Sequence, residues 1–289
     1  MTPNRELVID LHTHSNVSDG TESPTELVAA ARAAGIDVLA ITDHDTVAGW
    51  DEAAAAAAEA GIVLVRGIEI SCAHDGASLH LLGYLTDPDD ADLMGELDRA
   101  RESRVTRLER MVELMAEGGI PITYPEVLAQ VGPETTPGRP HIADALILNG
   151  TIAHRDEAFQ EWLTDDSPYY VAHYAPDPVR AVELVRAAGG VPVIAHPFTR
   201  TRELVVTDEF IEQLTAAGLF GLEAYHRDHG PEEVERAEAL AARLGLVLTG
   251  SSDYHGDGKR NRLGENTTEP RVLAAIEAAA SGVTPVLRP

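Results

Sequence analysis

Residues 38–70, VLAITDHDTVAGWDEAAAAAAEAGIVLVRGIEI, contain the pattern that decides the fold. An apolar run, Val38 to Ile41, precedes an alanine-rich stretch at 51–60, and a second apolar run follows from Ile62 to Val65. The two runs have the length of buried strands, and the stretch between them has that of a helix ended by Gly61. This order predicts parallel strands joined by a helical crossover.

Five further apolar runs extend this alternation along the chain, at residues 7–11, 79–85, 191–195, 221–224 and 246–249. Ser23-Pro24-Thr25-Glu26 has the residues of a capping box with proline at the first helical position, and Gly35 is placed to end that helix. We therefore expect an α/β barrel. In such barrels the loops after the strands converge on one rim.

Between residues 97 and 190 the strand signal is weak, and helices are predicted at about 99–118, 124–131, 138–149 and 177–188. We interpret residues 99–190 as a helical insertion that caps the barrel mouth. The barrel would then comprise residues 1–98 and 191–289. A chain of 289 residues is long enough for one large domain with such an insertion.

The chain is strongly acidic, with a formal net charge of −26, which disfavours binding to duplex DNA. A small or single-stranded phosphate-bearing substrate stays possible if bound cations reverse the local field. Cys72 is the only cysteine, so an intramolecular disulfide and a cysteine-rich zinc site are excluded. No apolar run has the length of a membrane span, and the first residues do not resemble a secretory signal. We expect a cytoplasmic protein without membrane contact, and the sequence does not indicate its oligomeric state.

Nine histidines and carboxylates lie in the predicted strands or in the loops that follow them: His12, His14, Asp19, His44, Glu69, His80, His196, Asp253 and His255. His-X-His in an extended chain directs both imidazoles to one side. Six imidazoles with three carboxylates suit two or three divalent ions, and manganese, iron or zinc accept such donors. Taken alone, a histidine on an apolar strand, such as His80, is more often a hydrogen-bonded core residue.

Two of these segments resemble the first motifs of the PHP (polymerase and histidinol phosphatase) superfamily. They are Asp10-Leu11-His12-Thr13-His14 with Ser18-Asp19-Gly20, and Ile41-Thr42-Asp43-His44-Asp45. The remaining candidate residues fall where the later motifs would, so the resemblance extends from residue 7 to about 257. It implies a distorted seven-stranded (β/α) barrel with a trinuclear metal site.

The resemblance also implies which residues hold each ion. The first ion would be held by His12, His14, Glu69 and Asp253, the second by Glu69, His80 and His196, and the third by Asp19, His44 and His255. Glu69 would bridge the first two ions. Histidinol phosphatases tend to have histidine at the position of Asp19 and lack the long insertion, so that substrate is disfavoured.

The chain is most similar to stand-alone members that hydrolyse phosphate from adenosine monophosphate or nucleoside 3',5'-bisphosphates, some of which trim short RNA from its 5' end. Their insertion contains a segment like residues 136–143, and the resemblance implies that Arg139 and His141 reach the phosphate. Considered alone, Arg139 is equally well explained as a solvated or ion-paired residue.

Several other basic residues are candidates for roles at the substrate. Arg200 and Arg202 are weaker candidates for phosphate binding. His226 and His229 could protonate a leaving group, although a surface or supporting role is the simpler interpretation. We expect His74, His154 and His173 to have no special role.

The expected reaction is hydrolysis by hydroxide formed from water between the ions at Glu69, since metal coordination lowers the pKa of water towards about 7. No covalent intermediate with a side chain is needed. Two alternatives stay open at this point. One is a 5'-to-3' exoribonuclease that acts on short RNA, and the other is a non-catalytic, metal-stabilised binding module.

Overall fold

The computed structural model describes residues 7–132, 135–164, 166–199 and 206–289, and its strands match the predicted apolar runs. The strands are β1 (Ile9–Asp10), β2 (Val38–Ile41), β3 (Val63–His74), β4 (Ala77–Tyr84), β5 (Val191–Ala195), β6 (Gly221–Tyr225) and β7 (Val247–Gly250). Each of the seven predicted runs overlaps one strand. The prediction of an α/β fold is confirmed.

The seven strands form one sheet in sequence order, from β1 to β7. Beyond the two edge strands, Thr13 bridges Tyr254, and the backbone N–H of His14 donates to the carbonyl of Tyr254 at 2.8 Å. These contacts bring the two edges together, so the sheet nearly closes into a barrel. The distorted seven-stranded barrel that the resemblance implied is confirmed.

The prediction that all strands are parallel is wrong for β4, which runs antiparallel to both β3 and β5. Only Asp75 and Gly76 connect β3 to β4, and both have positive φ angles, 48° and 83°. A two-residue turn of this kind makes a hairpin, whereas a parallel connection needs a dozen or more residues. The reversal places His80 opposite Ala195, the last residue of β5, and therefore at the rim where the parallel strands end.

Some helices pack against the outer face of the sheet, and others pack mainly against one another. The helices are α1 (Pro24–Ala34), α2 (Trp50–Ala60), α3 (Ala91–Glu117), α4 (Tyr124–Leu128), α5 (Arg139–Leu148), α6 (Arg155–Glu161), α7 (Pro178–Ala187), α8 (Asp208–Ala217), α9 (Pro231–Leu244) and α10 (Pro270–Ala279). The predicted capping box of α1 is present, because the Ser23 side chain accepts from the Glu26 N–H while the Glu26 carboxylate accepts from the Ser23 N–H. Gly35 ends α1 in the left-handed conformation.

The segment between β4 and β5 is helical, as predicted, but its details differ. Helix α3 begins at Ala91 rather than near residue 99, because the Asp90 side chain caps it by accepting from the Leu93 N–H at 2.9 Å. Helix α6 was not predicted. Buried side chains of α3 to α6 form an apolar cluster of their own, which includes Leu108, Met111, Ile142 and Leu146.

Helix α7 packs differently from the helices that precede it. Its buried residues Val182 and Val185 belong to the cluster that α1, α2 and α8 form against the sheet. The division into a barrel of residues 1–98 and 191–289 and an insertion of residues 99–190 stays a prediction. None of the described helices is long and apolar enough to span a membrane.

Candidate functional site

The nine predicted ligands converge at one rim of the barrel, and Glu69 lies at the centre of the group. Its Oε2 atom is 3.1 Å from His12 Nε2 and 3.0 Å from His14 Nε2. Its Oε1 atom is 2.8 Å from His80 Nδ1 and 3.3 Å from His196 Nε2. The two oxygens thus face different imidazoles, as a carboxylate shared between two ions would. Within 4.8 Å, Glu69 and His80 group with His44, whereas His196 groups with His12 and Glu223.

Asp253 completes the first predicted set of ligands. Its Oδ1 atom is 3.5 Å from His12 Nε2 and 3.4 Å from His14 Nε2. His12, His14, Glu69 and Asp253 each offer a ligand atom, and these atoms all lie within 4.8 Å of one another. All four residues are buried, so their polar atoms have little access to water.

The third predicted set lies beside the first two. His255 Nε2 is 3.1 Å from Asp19 Oδ1, and His44 Nε2 is 3.8 Å from Asp19 Oδ2. His14 belongs to the same group, because its Nδ1 is 3.8 Å from Asp19 Oδ1. His44 Nδ1 is also 3.4 Å from Glu69 Oε2, which links this group to the other two.

The unpaired polar atoms of the cluster fit a metal site. Among the described residues, buried side-chain atoms without a hydrogen-bond partner include Asp19 Oδ1, His44 Nδ1, Glu69 Oε1, His80 Nδ1 and His255 Nε2. Leaving such atoms unsatisfied costs about 1–3 kcal/mol each. Divalent ions bound between these nitrogen and oxygen lone pairs would remove that cost. The donor set therefore suits manganese, iron or zinc.

The electrostatics keep the carboxylates ionised. Burial raises the pKa of Glu69, but the charges of His80, His12 and His44 outweigh burial and hold that pKa well below its usual range. Burial lowers the pKa of His44 and, together with Lys259, that of His255. Burial also lowers the pKa of His12 and His14, but the adjacent carboxylates of Glu69 and Asp253 outweigh burial and raise the pKa of both imidazoles, that of His14 to about 9. Bound ions would displace the protons of these two imidazoles, since metals bind ionised carboxylates and neutral imidazoles.

Backbone conformation at the strand ends helps to direct the ligands. His196 follows β5 with a φ of 29°, and Asp253 follows β7 with a φ of 52°. Positive φ is unfavourable for residues with a side chain and is found chiefly where the surrounding structure enforces it. Here it directs both side chains towards Glu69.

Asp43, a buried carboxylate just after β2, holds the loop that bears Asp19. Asp43 accepts hydrogen bonds from the Ser15 N–H at 2.8 Å and from the Ser18 hydroxyl at 2.6 Å. Gly20 lies where an added Cβ would come within 2.5 Å of the His14 carbonyl oxygen, so only glycine fits without displacing the loop. The motif Ser18-Asp19-Gly20 is thus explained by how it positions Asp19.

A cavity of about 520 Å³ opens over the cluster, between the barrel rim and α3 to α6. Barrel residues in its wall include Asp19, His44, His80 and Lys259, and residues from the helical segment include Arg104, Arg107, Arg139 and Tyr170. This volume is within the range of small-molecule sites. The cavity is lined by basic groups although the chain as a whole is acidic.

The two predicted phosphate contacts differ in position. Arg139 lines the cavity, donates to the Leu163 carbonyl at 2.6 Å, and places its guanidinium 5.7 Å from the centre of the Tyr170 ring. His141 is buried at the start of α5, where its Nδ1 accepts from the Gly138 N–H at 3.1 Å, and it is absent from the cavity wall. Both roles stay predictions. Arg200 and Arg202 lie outside the described residues.

The histidines for which minor roles are predicted also differ from one another in their contacts. His226 is buried with Nε2 3.5 Å from Asp253 Oδ2, which fits the supporting role and not the surface role. His229 bonds to the Ala224 carbonyl and the Phe198 N–H, which indicates a structural role. His173 lines the large cavity, where burial and the nearby Arg104 lower its pKa to about 3.

Two further charged residues at the site were missed. The Lys259 ammonium lies 2.9 Å from Asp253 Oδ2 and borders the large cavity. Glu223 is fully buried and contacts His12. The signal for Glu223 was present, because an acidic residue inside a short apolar strand needs a buried partner. Lys259 had no such signal, since it lies in a polar loop.

Comparisons with known proteins agree with this site. A PHP domain matches residues 10–122. The 3',5'-nucleoside bisphosphate phosphatase of Chromobacterium violaceum is 33% identical over 254 residues, covering 88% of this chain and 89% of the relative. A 5'-3' exoribonuclease of Haemophilus influenzae is 34% identical over 257 residues, covering 89% and 93%.

A solved structure from Bifidobacterium adolescentis, assigned as a metal-dependent phosphoesterase, superposes with a TM-score of 0.91 at 41% identity and covers 94% of this chain and 96% of that one. The likeness therefore extends over nearly the whole chain in sequence and in fold. The chain belongs to the PHP domain family and is a phosphoesterase.

Proposed function

We propose that this enzyme removes phosphate from phosphate monoesters of small nucleotides, either adenosine monophosphate or nucleoside 3',5'-bisphosphates. One observation carries the proposal. Asp19, His44, His80 and His255 of the predicted ligand set line a cavity whose walls combine arginines with aromatic rings. Arginine suits phosphate oxygens because its planar fork donates paired hydrogen bonds, and aromatic faces suit nucleobases. The Chromobacterium violaceum phosphatase, named for such a substrate, supports it.

The nine residues would hold two or three divalent ions, with Glu69 shared between two of them. Manganese, iron and zinc are all compatible with these donors. Bound ions would polarise the phosphoryl group and make a coordinated water acidic, with a pKa near about 7. Location in the cytoplasm also stays a prediction.

The side chains of the cavity would bind and orient the substrate. Arg139 would hold non-bridging phosphoryl oxygens, and the Tyr170 ring beside it would contact the nucleoside. Water attacks phosphorus in line, the bond from phosphorus to the ester oxygen breaks, and the products are inorganic phosphate and the alcohol. Positioning and charge stabilisation are the main sources of rate in this chemistry.

A 5'-to-3' exoribonuclease acting on short RNA is the second candidate. A further cavity of about 450 Å³ adjoins the first and shares Arg155, Asp156, Gly258 and Lys259 with it. It offers space for a nucleotide beyond the one at the metal cluster. The Haemophilus influenzae relative supports this candidate. The non-catalytic alternative loses its support, because the relatives that match nearly the whole chain are named as enzymes.

Substrate comparison tests the proposal. Protein reconstituted with manganese is given adenosine monophosphate, a nucleoside 3',5'-bisphosphate and a short 5'-phosphorylated RNA at equal concentrations. We expect one of the first two substrates to have the highest kcat/KM, measured as the release of inorganic phosphate. Faster release of mononucleotides from the RNA would favour the exoribonuclease, and no turnover of any substrate by metal-loaded protein would refute the proposal.

Arg139→Ala is expected to lower kcat/KM by about 10–100-fold, which corresponds to the loss of a charge-assisted hydrogen bond to phosphate. Metal content should be unchanged, because Arg139 is not one of the predicted ligands and its guanidinium lies against the Leu163 carbonyl and the rings of Phe159 and Tyr170. Arg139→Lys is the matched control, since it keeps the charge but loses the paired donors. Its kcat/KM should lie between that of the wild type and that of Arg139→Ala. An unaltered kcat/KM in the alanine variant would remove Arg139 from the proposed site.

A further inference from the structure

Glu223 is a buried carboxylate that contacts two predicted metal ligands at once. It lies in the middle of β6 and is fully buried. Its Oε1 is 3.0 Å from His12 Nδ1, and its Oε2 accepts from the backbone N–H of His196 at 2.9 Å. One side chain therefore connects β6 with the segments that follow β1 and β5, beside the predicted metal ligands.

The contact with Glu223 determines which nitrogen of His12 faces the cluster. A neutral imidazole bears its proton on one nitrogen and a lone pair on the other. The carboxylate can only accept, so it selects the form with the proton on Nδ1. The Nε2 lone pair then faces Glu69 Oε2 at 3.1 Å and Asp253 Oδ1 at 3.5 Å.

The contact with His196 acts on the backbone. His196 has a φ of 29°, a conformation that costs energy for a residue with a side chain. The hydrogen bond from its N–H to Glu223 helps to hold that conformation. The imidazole of His196 is thereby kept 3.3 Å from Glu69 Oε1.

Glu223 could in principle be a ligand itself, since one oxygen lies within 4.8 Å of ligand atoms of His12 and His196. Its position argues against this role. One oxygen holds a backbone N–H, and the other faces the His12 nitrogen that points away from Glu69. Glu223 is also absent from the walls of the two cavities that border the cluster.

We propose that Glu223 is a positioning residue that fixes the ring of His12 and the backbone of His196, and so sets the affinity of the cluster for divalent ions. This inference rests on the proposed metal site but not on the nucleotide substrate. Carboxylates that orient a metal-binding imidazole through its second nitrogen are a common means of raising metal affinity.

The test measures metal binding rather than turnover. Chelator-treated, dialysed protein is titrated with Mn²⁺ by calorimetry, the ions bound at saturation are counted by mass spectrometry, and the visible spectrum of the Co²⁺ form is recorded. We expect Glu223→Gln to bind the same number of ions about 10–100-fold more weakly, with an altered Co²⁺ spectrum. Glu265→Gln is the matched control and should keep the affinity. It makes the same change at a part-buried glutamate whose Oε2 accepts from the Arg227 guanidinium at 2.7 Å.

Wild-type affinity and spectrum in Glu223→Gln would overturn the inference. So would the loss of one whole ion at saturation, because Glu223 would then be a ligand. If the variant does not fold, nitrogen-15 NMR of the wild-type protein loaded with Zn²⁺ decides, since a proton on His12 Nε2 instead of Nδ1 contradicts the proposal. Wild-type protein that binds no ion would refute the proposed metal site itself. That result is distinguishable from the outcomes that overturn only the role of Glu223.

Discussion

Glu69→Gln is expected to lower kcat by at least about 10³-fold, a loss comparable to or greater than that of a charge-stabilising group in an active site. The amide is nearly the same size, but it is uncharged and has only one oxygen. It cannot bridge two cations, and its NH₂ group would face imidazole nitrogens. His12, His14, His80 and His196 would all lose the carboxylate that they now surround.

The measurement is steady-state kcat with saturating substrate and Mn²⁺, together with circular dichroism and ion content. We expect an intact fold and fewer bound ions. Glu117→Gln is the matched control and should behave as wild type. Glu117 is the last residue of α3, its side chain is exposed, and its ion-pair partner is Arg110. A Glu69→Gln enzyme with kcat within about tenfold of wild type would contradict the central role of this residue.

Removal of the metal ions is expected to abolish turnover and to lower the Tm by several degrees. An ion present at 100 times its Kd stabilises the folded state by about 2.7 kcal/mol, and each ion adds its own contribution. The physical reason is the buried charge. Glu69, Asp19 and Asp253 lie close together with little solvent access, and divalent ions offset their mutual repulsion.

The experiment dialyses the enzyme against a chelator, removes the chelator, and follows Tm and activity before and after adding Mn²⁺, Fe²⁺ or Zn²⁺ separately. Recovery with one ion identifies the metal that supports turnover. Mg²⁺ is the comparison ion, because it prefers all-oxygen ligands and should restore little at the same concentration. Full activity in protein verified to contain no transition metal would rule out the metal-dependent reaction.

Much of the fold could be predicted from local patterns. The apolar runs located all seven strands, and the capping residues of α1 and its terminal glycine agree with the structure. The hairpin between β3 and β4 was missed, although Asp75-Gly76 between two apolar runs is a common signal for a tight turn. The turn was missed because every strand was assumed to connect to the next through a helical crossover.

The start of α3 was missed for a different reason. Leu93, Met94 and Leu97 have helical spacing and follow Asp90, a favoured N-cap residue, but Gly95 and three acidic residues dilute this signal. The Asp90 cap and the packing of Leu93 and Leu97 against the barrel decide the boundary. The cap was therefore readable from the local sequence, whereas the packing that favours this starting point over a later one was not.

The sequence by itself determined the α/β alternation, the acidic charge and the residue types available to bind metals. Only the tertiary structure decided that these residues meet, that the two oxygens of Glu69 face different imidazoles, and that Glu223 and Lys259 join them. The reason is that a ligand set is defined by distances of a few ångströms between residues up to about 240 positions apart in the chain. Such distances arise from barrel closure and from the reversal of β4, and no local pattern encodes them.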